Sequence, residues 1–320
     1  MTRTARLKAF AKLNLGLRVL YKRPDNYHEI RTVFQTISLA DTLEVEFSKA
    51  RSTSIEIEGT PEIPDNLVER ATRKLLQAMD MDARVFFRLN KRIPAGAGLG
   101  GGSSDAAAVL LALPVLAGKR VPSEDLHAIA AQLGSDVPFF LEGGTALGLG
   151  RGEELYPLPD RPATRALLVA PAIHSSTAEA YRGVSEKLTS IGLQNKLVSF
   201  QQEVWQAGGR ADIDGVSAHN DFEEGVFARH PELRGIADRL TRSGARPVAM
   251  TGSGSSVFGI FRDRERLLSG QKAFKEQTFE ISFLSRSQYR SAWRRALKQH
   301  TAPEQNTKGD QWPPQSRYAR

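Results

Sequence analysis

The sequence predicts two domains that each mix strands and helices, on three observations. Its 320 residues, 40% hydrophobic and 25% charged, leave room for two cores of about 150 residues. Segments of strand-like and helix-like hydrophobic period alternate through both halves. Between them Pro157-Leu-Pro-Asp-Arg-Pro162 marks a composition shift where one domain can end, giving bounds of 1–160 and 161–290.

In chain order, residues 5–20 alternate apolar and polar as a strand, with Lys12 and Asn14 on one face. Residues 32–38, 42–47 and 54–58 are rich in β-branched and aromatic residues and read as three strands parted by Asp or polar turns. Leu67, Ala71, Leu75 and Ala78 fall at helical spacing over 66–79, with Asp65 or Asn66 as cap. A strand over 84–93 feeds a glycine-rich turn. The helix after it runs over 104–113, capped by Ser103, Ser104 or Asp105 and kinked or ended by Pro114; another, over 123–133, is capped by Ser123 and stopped by Gly134. In the second half, 165–170 reads as a buried strand, 178–184, 197–206 and 231–243 as helices, and 248–251 and 256–261 as strands around a second glycine loop, Gly252-Ser-Gly254-Ser-Ser. No fixed-period repeat is present.

Composition narrows the function classes. No apolar run approaches a membrane span, and the N-terminal residues carry no secretory core. The absence of cysteine excludes disulfides and thiolate metal sites and fits a reducing compartment, so a cytoplasmic protein is expected. The net charge of +8 is concentrated at the end: residues 286–320 hold eight Lys/Arg against two Asp/Glu. With Pro303, Pro313 and Pro314 and few aliphatics, 291–320 reads as a basic, disordered tail rather than a nucleic-acid surface.

The turn from Pro94 to Asp105 carries the strongest chemical signal. Gly96, Gly98, Gly100, Gly101 and Gly102 let the backbone approach a ligand closely, and a helix N-terminus follows to favour an anion. The segment matches G-x-G-x-x-G formally, but it lacks the Gly-Lys-Ser/Thr of a Walker A loop, and no protein-kinase motifs accompany it. A plain glycine hinge is the alternative. Lys12 lies mid-strand, either as a buried charge needing a partner or as a solvent-facing edge residue. Asp136, in Leu-Gly-Ser-Asp-Val-Pro, is either a helix cap or a carboxylate that takes a hydroxyl proton beside a lysine. Asn26-Tyr27-His28 presents an aromatic and an imidazole at a loop end, suited to stacking on a base and reading its edge, or else to ordinary core packing. The remaining histidines show no metal-ligand spacing, so no zinc site is expected.

Ala11-Lys12-Leu-Asn14-Leu, Asn26-Tyr27-His28, Pro94 to Ala107, Leu133 to Phe140 and Met250 to Val257 together resemble the galactokinase, homoserine kinase, mevalonate kinase and phosphomevalonate kinase (GHMP) superfamily, over about residues 5–290. Gly-Leu-Gly-Gly-Gly-Ser-Ser and Gly-Ser-Asp-Val-Pro are its specific signals. Tyr27-His28 and Ala-His-Asn-Asp-Phe-Glu at 218–223 point to the branch that phosphorylates the 2-hydroxyl of a cytidine diphosphate-linked sugar alcohol in isoprenoid precursor synthesis. The resemblance implies an α+β fold: an N-terminal ribosomal-protein-S5-like domain binding ATP, a C-terminal ferredoxin-like domain, and the acceptor between them.

It further implies Asp136 as general base with Lys12 beside it, and Asn14 holding the acceptor. Pro94, Gly96, Gly98, Leu99, Gly100, Gly101, Gly102, Ser103 and Ser104 would surround the ATP phosphates, bridged by a magnesium ion. Tyr27 would stack on cytosine, His28 read its edge, Tyr181 supply a second aromatic and Thr177 a hydroxyl. The implied state is a monomer or homodimer, with no membrane or nucleic-acid partner. Two other readings remain open: another small-molecule kinase of the superfamily, for homoserine or a mevalonate-like acid, and an RNA-associated protein using the basic tail.

Overall fold

The computed structural model describes residues 1–59, 65–185, 190–208, 218–301 and 312–319. Its frame is one long hairpin, β1 (Arg3–Lys22) and β2 (His28–Lys49), paired from Arg3↔Phe47 to Lys22↔His28 with bulges after Phe10, Asn14 and Val19. Two separate strands were expected within β2. The chain instead runs through Asp41 without turning, because the Asp41 carboxylate accepts the Arg92 and Ile93 N–H groups (2.5 and 2.8 Å) and the Lys91 amine, which leaves it satisfied inside the sheet.

Around the hairpin, β3 (Ser54–Glu58) and β4 (Ala83–Asn90) extend the sheet on one half of β2. The helix α1 (Leu67–Ala78) between them is capped by the Asn66 side chain. α2 (Gly101–Ala117), α3 (Ser123–Leu133) and α4 (Val137–Glu142) lie on the sheet; β5 (Thr145–Leu149) and β6 (Glu154–Pro157) then pair onto the other half of β2. The described strands form a seven-stranded sheet, completed by β8 (His219–Asn220), which runs parallel to β1.

α2 corrects two expectations. It begins at Gly101, so Ser103, Ser104 and Asp105 lie inside the helix and none caps it; Gly100, at φ 70, is the capping residue. It also runs through Pro114 to Gly118, where the Lys119 N–H reaches the Pro114 carbonyl (3.0 Å). Every residue from Ser104 to Ala117 is buried, and this packing outweighs one lost helical hydrogen bond. Likewise α3 starts after Pro122, while Ser123 serves as its first residue rather than its cap.

The second sheet is antiparallel, in the order β11 (Gln277–Ser282), β7 (Arg165–Ala170), β10 (Val257–Phe261), β9 (Val248–Met250). α5 (Thr177–Ser185), α6 (Ser190–Gly208), α7 (Glu223–Arg229), α8 (Pro231–Arg242) and α9 (Arg264–Gln271) accompany it. Alternate residues of β7 divide between two cores: Leu167 and Val169 pack with Leu233, Ile236 and Leu240, whereas Ala166 and Leu168 pack with Leu13, Leu15 and Ile37 of the hairpin. The second core is therefore shared between the two sheets.

The end of the chain also departs from expectation. α10 (Arg286–Leu297), with a Ser285–Gln288 capping box, buries Tyr289, Trp293 and Leu297 in the core of the first sheet. Residues 312–319 pack there as well: Trp312 Nε1 donates to the Leu141 carbonyl (2.7 Å), Ser316 Oγ to the Val115 carbonyl (2.7 Å), and the Arg3 guanidinium lies 3.7 Å from the Tyr318 ring centre. Disorder was expected over 291–320; instead Trp293 and Leu297 are buried and Trp312 packs on the same core, while 302–311 and 320 lie outside the described residues.

Candidate active site

Lys12 lies on β1 opposite Thr36 of β2, beyond the two residues that pair with β8, and its side chain is buried, 3% exposed, rather than facing solvent. Its Nζ donates to Asn14 Oδ1 (2.6 Å) and lies 3.5 Å from Asp136 Oδ2 and 5.4 Å from the centre of the Phe34 ring. Asn14 is held in turn, donating from Nδ2 to Thr32 Oγ1 (2.7 Å), which donates to the Gly16 carbonyl (2.8 Å). A buried ammonium is tolerated only with such partners.

Asp136 occupies the N-cap position of α4, yet its carboxylate makes no capping hydrogen bond. Its side chain is 31% exposed and faces Lys12. The capping alternative therefore does not account for this residue.

The glycine turn joins β4 to α2. Leu99 is buried and its carbonyl accepts the Lys12 N–H (3.0 Å), while Ser104 Oγ donates to the Phe10 carbonyl (2.7 Å), so the turn is sewn to β1 from both sides. Gly98 has φ 76, and a Cβ there would lie 2.1 Å from the Thr251 carbonyl oxygen. Only glycine permits the two glycine loops to meet this closely. The second loop also closes on β1: the Asn14 N–H donates to Thr251 Oγ1 (3.0 Å). Gly101, Gly102 and Ser103 form the first turn of α2, where the helix leaves N–H groups without a side-chain cap.

These parts line one side of a cleft of about 960 Å³, within the size range of ligand sites. Lys12, Asn14, Gly96, Gly98, Gly100 and Asp136 face it; Pro94, Leu99, Gly101, Gly102, Ser103 and Ser104 are not among its lining residues. Tyr27, His28, Thr177 and Tyr181 line the other side. The His28 and Tyr181 rings stack at 4.7 Å and 21°, and Tyr181 meets Phe222 edge-on at 4.8 Å. Burial pushes the Tyr181 hydroxyl up to about 12, with Asp136 adding to it; burial, then Lys22, holds His28 below the usual imidazole value. Tyr27 is 55% exposed, with the Arg151 guanidinium 4.7 Å from its ring centre. Thr177 Oγ1 and Ser253 Oγ are hydrogen-bonded (2.8 Å), tying the aromatic side to the second glycine loop.

Phe34 and Arg151 are among the lining residues not singled out from the sequence. Arg151 carried a signal, lying between two glycines in Gly150-Arg-Gly152; Phe34 did not.

A glycine turn opening a buried helix, a second loop pressed on it and a buried lysine facing an aspartate define the class: the models described as "GHMP kinases N terminal domain" and "GHMP kinases C terminal" match residues 66–144 and 209–279. Over 99% of this chain and 98% of the relative, the sequence is 54% identical to the 4-diphosphocytidyl-2-C-methyl-D-erythritol kinase of Solibacter usitatus (strain Ellin6076). It is 37% identical to that of Gloeobacter violaceus (strain ATCC 29082 / PCC 7421), over 82% of this chain and 87% of the relative. A crystal structure of 4-(cytidine 5'-diphospho)-2C-methyl-D-erythritol kinase superposes with a TM-score of 0.71 at 34% identity, covering 88% of this chain and 99% of that one. The chain belongs to the GHMP kinases and, within them, to the family of the 4-diphosphocytidyl-2-C-methyl-D-erythritol kinases. A homoserine kinase from Cytophaga hutchinsonii ATCC 33406 shares the fold at 17% identity (TM-score 0.66; 88% of this chain, 95% of that one).

Proposed function

We propose that the protein transfers the γ-phosphoryl group of ATP to the 2-hydroxyl of 4-diphosphocytidyl-2-C-methyl-D-erythritol, in the non-mevalonate route to isoprenoid precursors. The observation that carries the reading is the Lys12–Asp136 pair, 3.5 Å apart, set in the cleft between an anion cradle and an aromatic shelf. Asp136 takes the hydroxyl proton as the oxygen attacks the γ-phosphorus, the bond to the β–γ bridging oxygen breaks, and ADP leaves. Lys12, fixed by Asn14, holds positive charge beside the carboxylate and the transferring group. Asn14 also steadies the acceptor.

The glycine turn and the N-terminus of α2, Pro94 through Ser104, receive the phosphates. Tyr27 stacks on the cytosine, His28 reads its edge, and Tyr181 and Thr177 complete the acceptor side. With His28 already stacked on Tyr181, the base takes its place against Tyr27 and the edge of that pair. Among the described residues no cluster of three His, Asp or Glu side chains is built for a cation. A magnesium ion would be held here mainly by phosphate and water oxygens, with Asp136 the carboxylate that lines the cleft, and would neutralise phosphate charge. Residues 1–160 thus supply the ATP side, and 161–290 with the β1–β2 end the acceptor side. The protein works in the cytoplasm as a monomer or homodimer.

Replacing Asp136 with Asn tests the base: turnover should fall by about 10²–10⁴-fold with the fold intact. Near-wild-type turnover would falsify the assignment. Cytidine diphosphate should compete with the acceptor, whereas a homoserine or mevalonate kinase would ignore it.

A further inference from the structure

We infer that Tyr289 and Trp312 are positioning residues for the Asp136 carboxylate and act through α4; this rests on the reading of Asp136 as the base. α4 has six residues, too few to be stable without tertiary support. Asp136 sits at its start with no capping bond, so the location of the carboxylate follows the location of the helix.

The other end of α4 is held by side chains from the end of the chain. The Gly143 N–H reaches the Phe139 carbonyl (2.9 Å), which leaves the carbonyls of Phe140 and Leu141 beyond the last intrahelical bond. Tyr289 Oη donates to Phe140 O, and Trp312 Nε1 donates to Leu141 O (2.7 Å). Arg290 then donates to Glu142 Oε2 (2.6 Å). Three consecutive residues at the end of α4 are each gripped by α10 or by the segment after it.

Burial of Val137, Phe139, Phe140 and Leu141 also holds α4 to the core. That attraction is non-directional and tolerates sliding along the helix axis. The hydrogen bonds do not, since they weaken steeply when bent or stretched. They therefore set the axial position of α4 and the 3.5 Å separation of Asp136 from Lys12. Trp312 lies in the segment that composition marked as a tail, so part of this support comes from there.

The test uses Tyr289→Phe and Trp312→Phe, singly and together, in the full chain. Each keeps an aromatic ring and removes one donor. At a temperature well below unfolding, kcat should fall about threefold for each and about tenfold together, with KM for ATP and acceptor held within about twofold. In an Asp136→Asn background the same pair should cost nothing further, because the carboxylate they position is gone. A further tenfold loss in that background assigns them a purely structural role and overturns the proposal, as does unchanged kcat in the double variant while Asp136→Asn is inactive. An active Asp136→Asn overturns the base assignment itself, and this proposal with it. If the double variant does not fold, Trp312→Phe alone, at a partly exposed position, decides by the same comparison.

Discussion

An alanine at Gly98 measures what the contact between the two glycine loops is worth. At φ +76 the position lies in the left-handed region, where a Cβ costs roughly 1–2 kcal/mol. The added carbon would also lie 2.1 Å from the Thr251 carbonyl oxygen and 3.2 Å from that of Gly254, both backbone atoms that cannot rotate away. Restoring a carbon–oxygen contact of about 3.3 Å requires the loops to part by about 1 Å. That movement pulls Thr251 Oγ1 from the Asn14 N–H, and Asn14 is the hydrogen-bond partner of the Lys12 amine. Strain and overpacking together come to about 2–5 kcal/mol, or about 3–7 °C in the thermal midpoint of a chain of this length. A displacement of this size at the reacting groups costs on the order of 100-fold in kcat. Thermal melting and steady-state kinetics with ATP and the cytidyl acceptor read both effects on one preparation. Wild-type turnover would refute the link from Gly98 to Asn14 and Lys12; an unchanged midpoint would refute the strain.

Two further predictions follow from buried polar groups. Asn220, 3% exposed, donates to the carbonyls of Met250 (2.9 Å) and Gly252 (2.7 Å), so Asn220→Ala should cost about 2–4 kcal/mol by stranding both; a melt indistinguishable from wild type would show that the second loop needs no such tie. Burial pushes the Asp105 carboxyl up to about 7 despite the Lys91 amine 2.6 Å away. The folded state therefore holds the proton more tightly than the unfolded chain, and the stability that Asp105 contributes should decline as pH rises from about 4 through 7. The midpoint of Asp105→Asn minus that of wild type should grow over the same range, and a flat difference would count against the raised pKa.

Elements with a clear period were legible along the chain, and their bounds moved by few residues: β7 falls at 165–170 as expected, and α1 at Leu67–Ala78 against an expected 66–79. What was not legible depended on partners distant in sequence. Asp41 looked like a turn because its three ligands lie some 50 residues on; Pro114 looked like a stop because the burial that overrides it comes from other elements. The basic end misled in the same way. Its arginines were counted, while the surfaces waiting for Tyr289, Trp293 and Trp312 could not be.

The site shows the same division between what is local and what is long-range. The glycine turn advertises an anion because its own residues make the cradle, but no local pattern reveals that Lys12 is buried or that Asp136 leaves its helix uncapped. The lysine is placed by β1, whose backbone binds the first loop through Leu99, the second loop through Thr251, and α2 through Ser104. Because all three are fixed to one stretch of β1, from Phe10 to Asn14, none can shift alone. The lysine–aspartate distance is therefore set at two places: by β1 on the lysine side, and on the aspartate side by the far end of a six-residue helix.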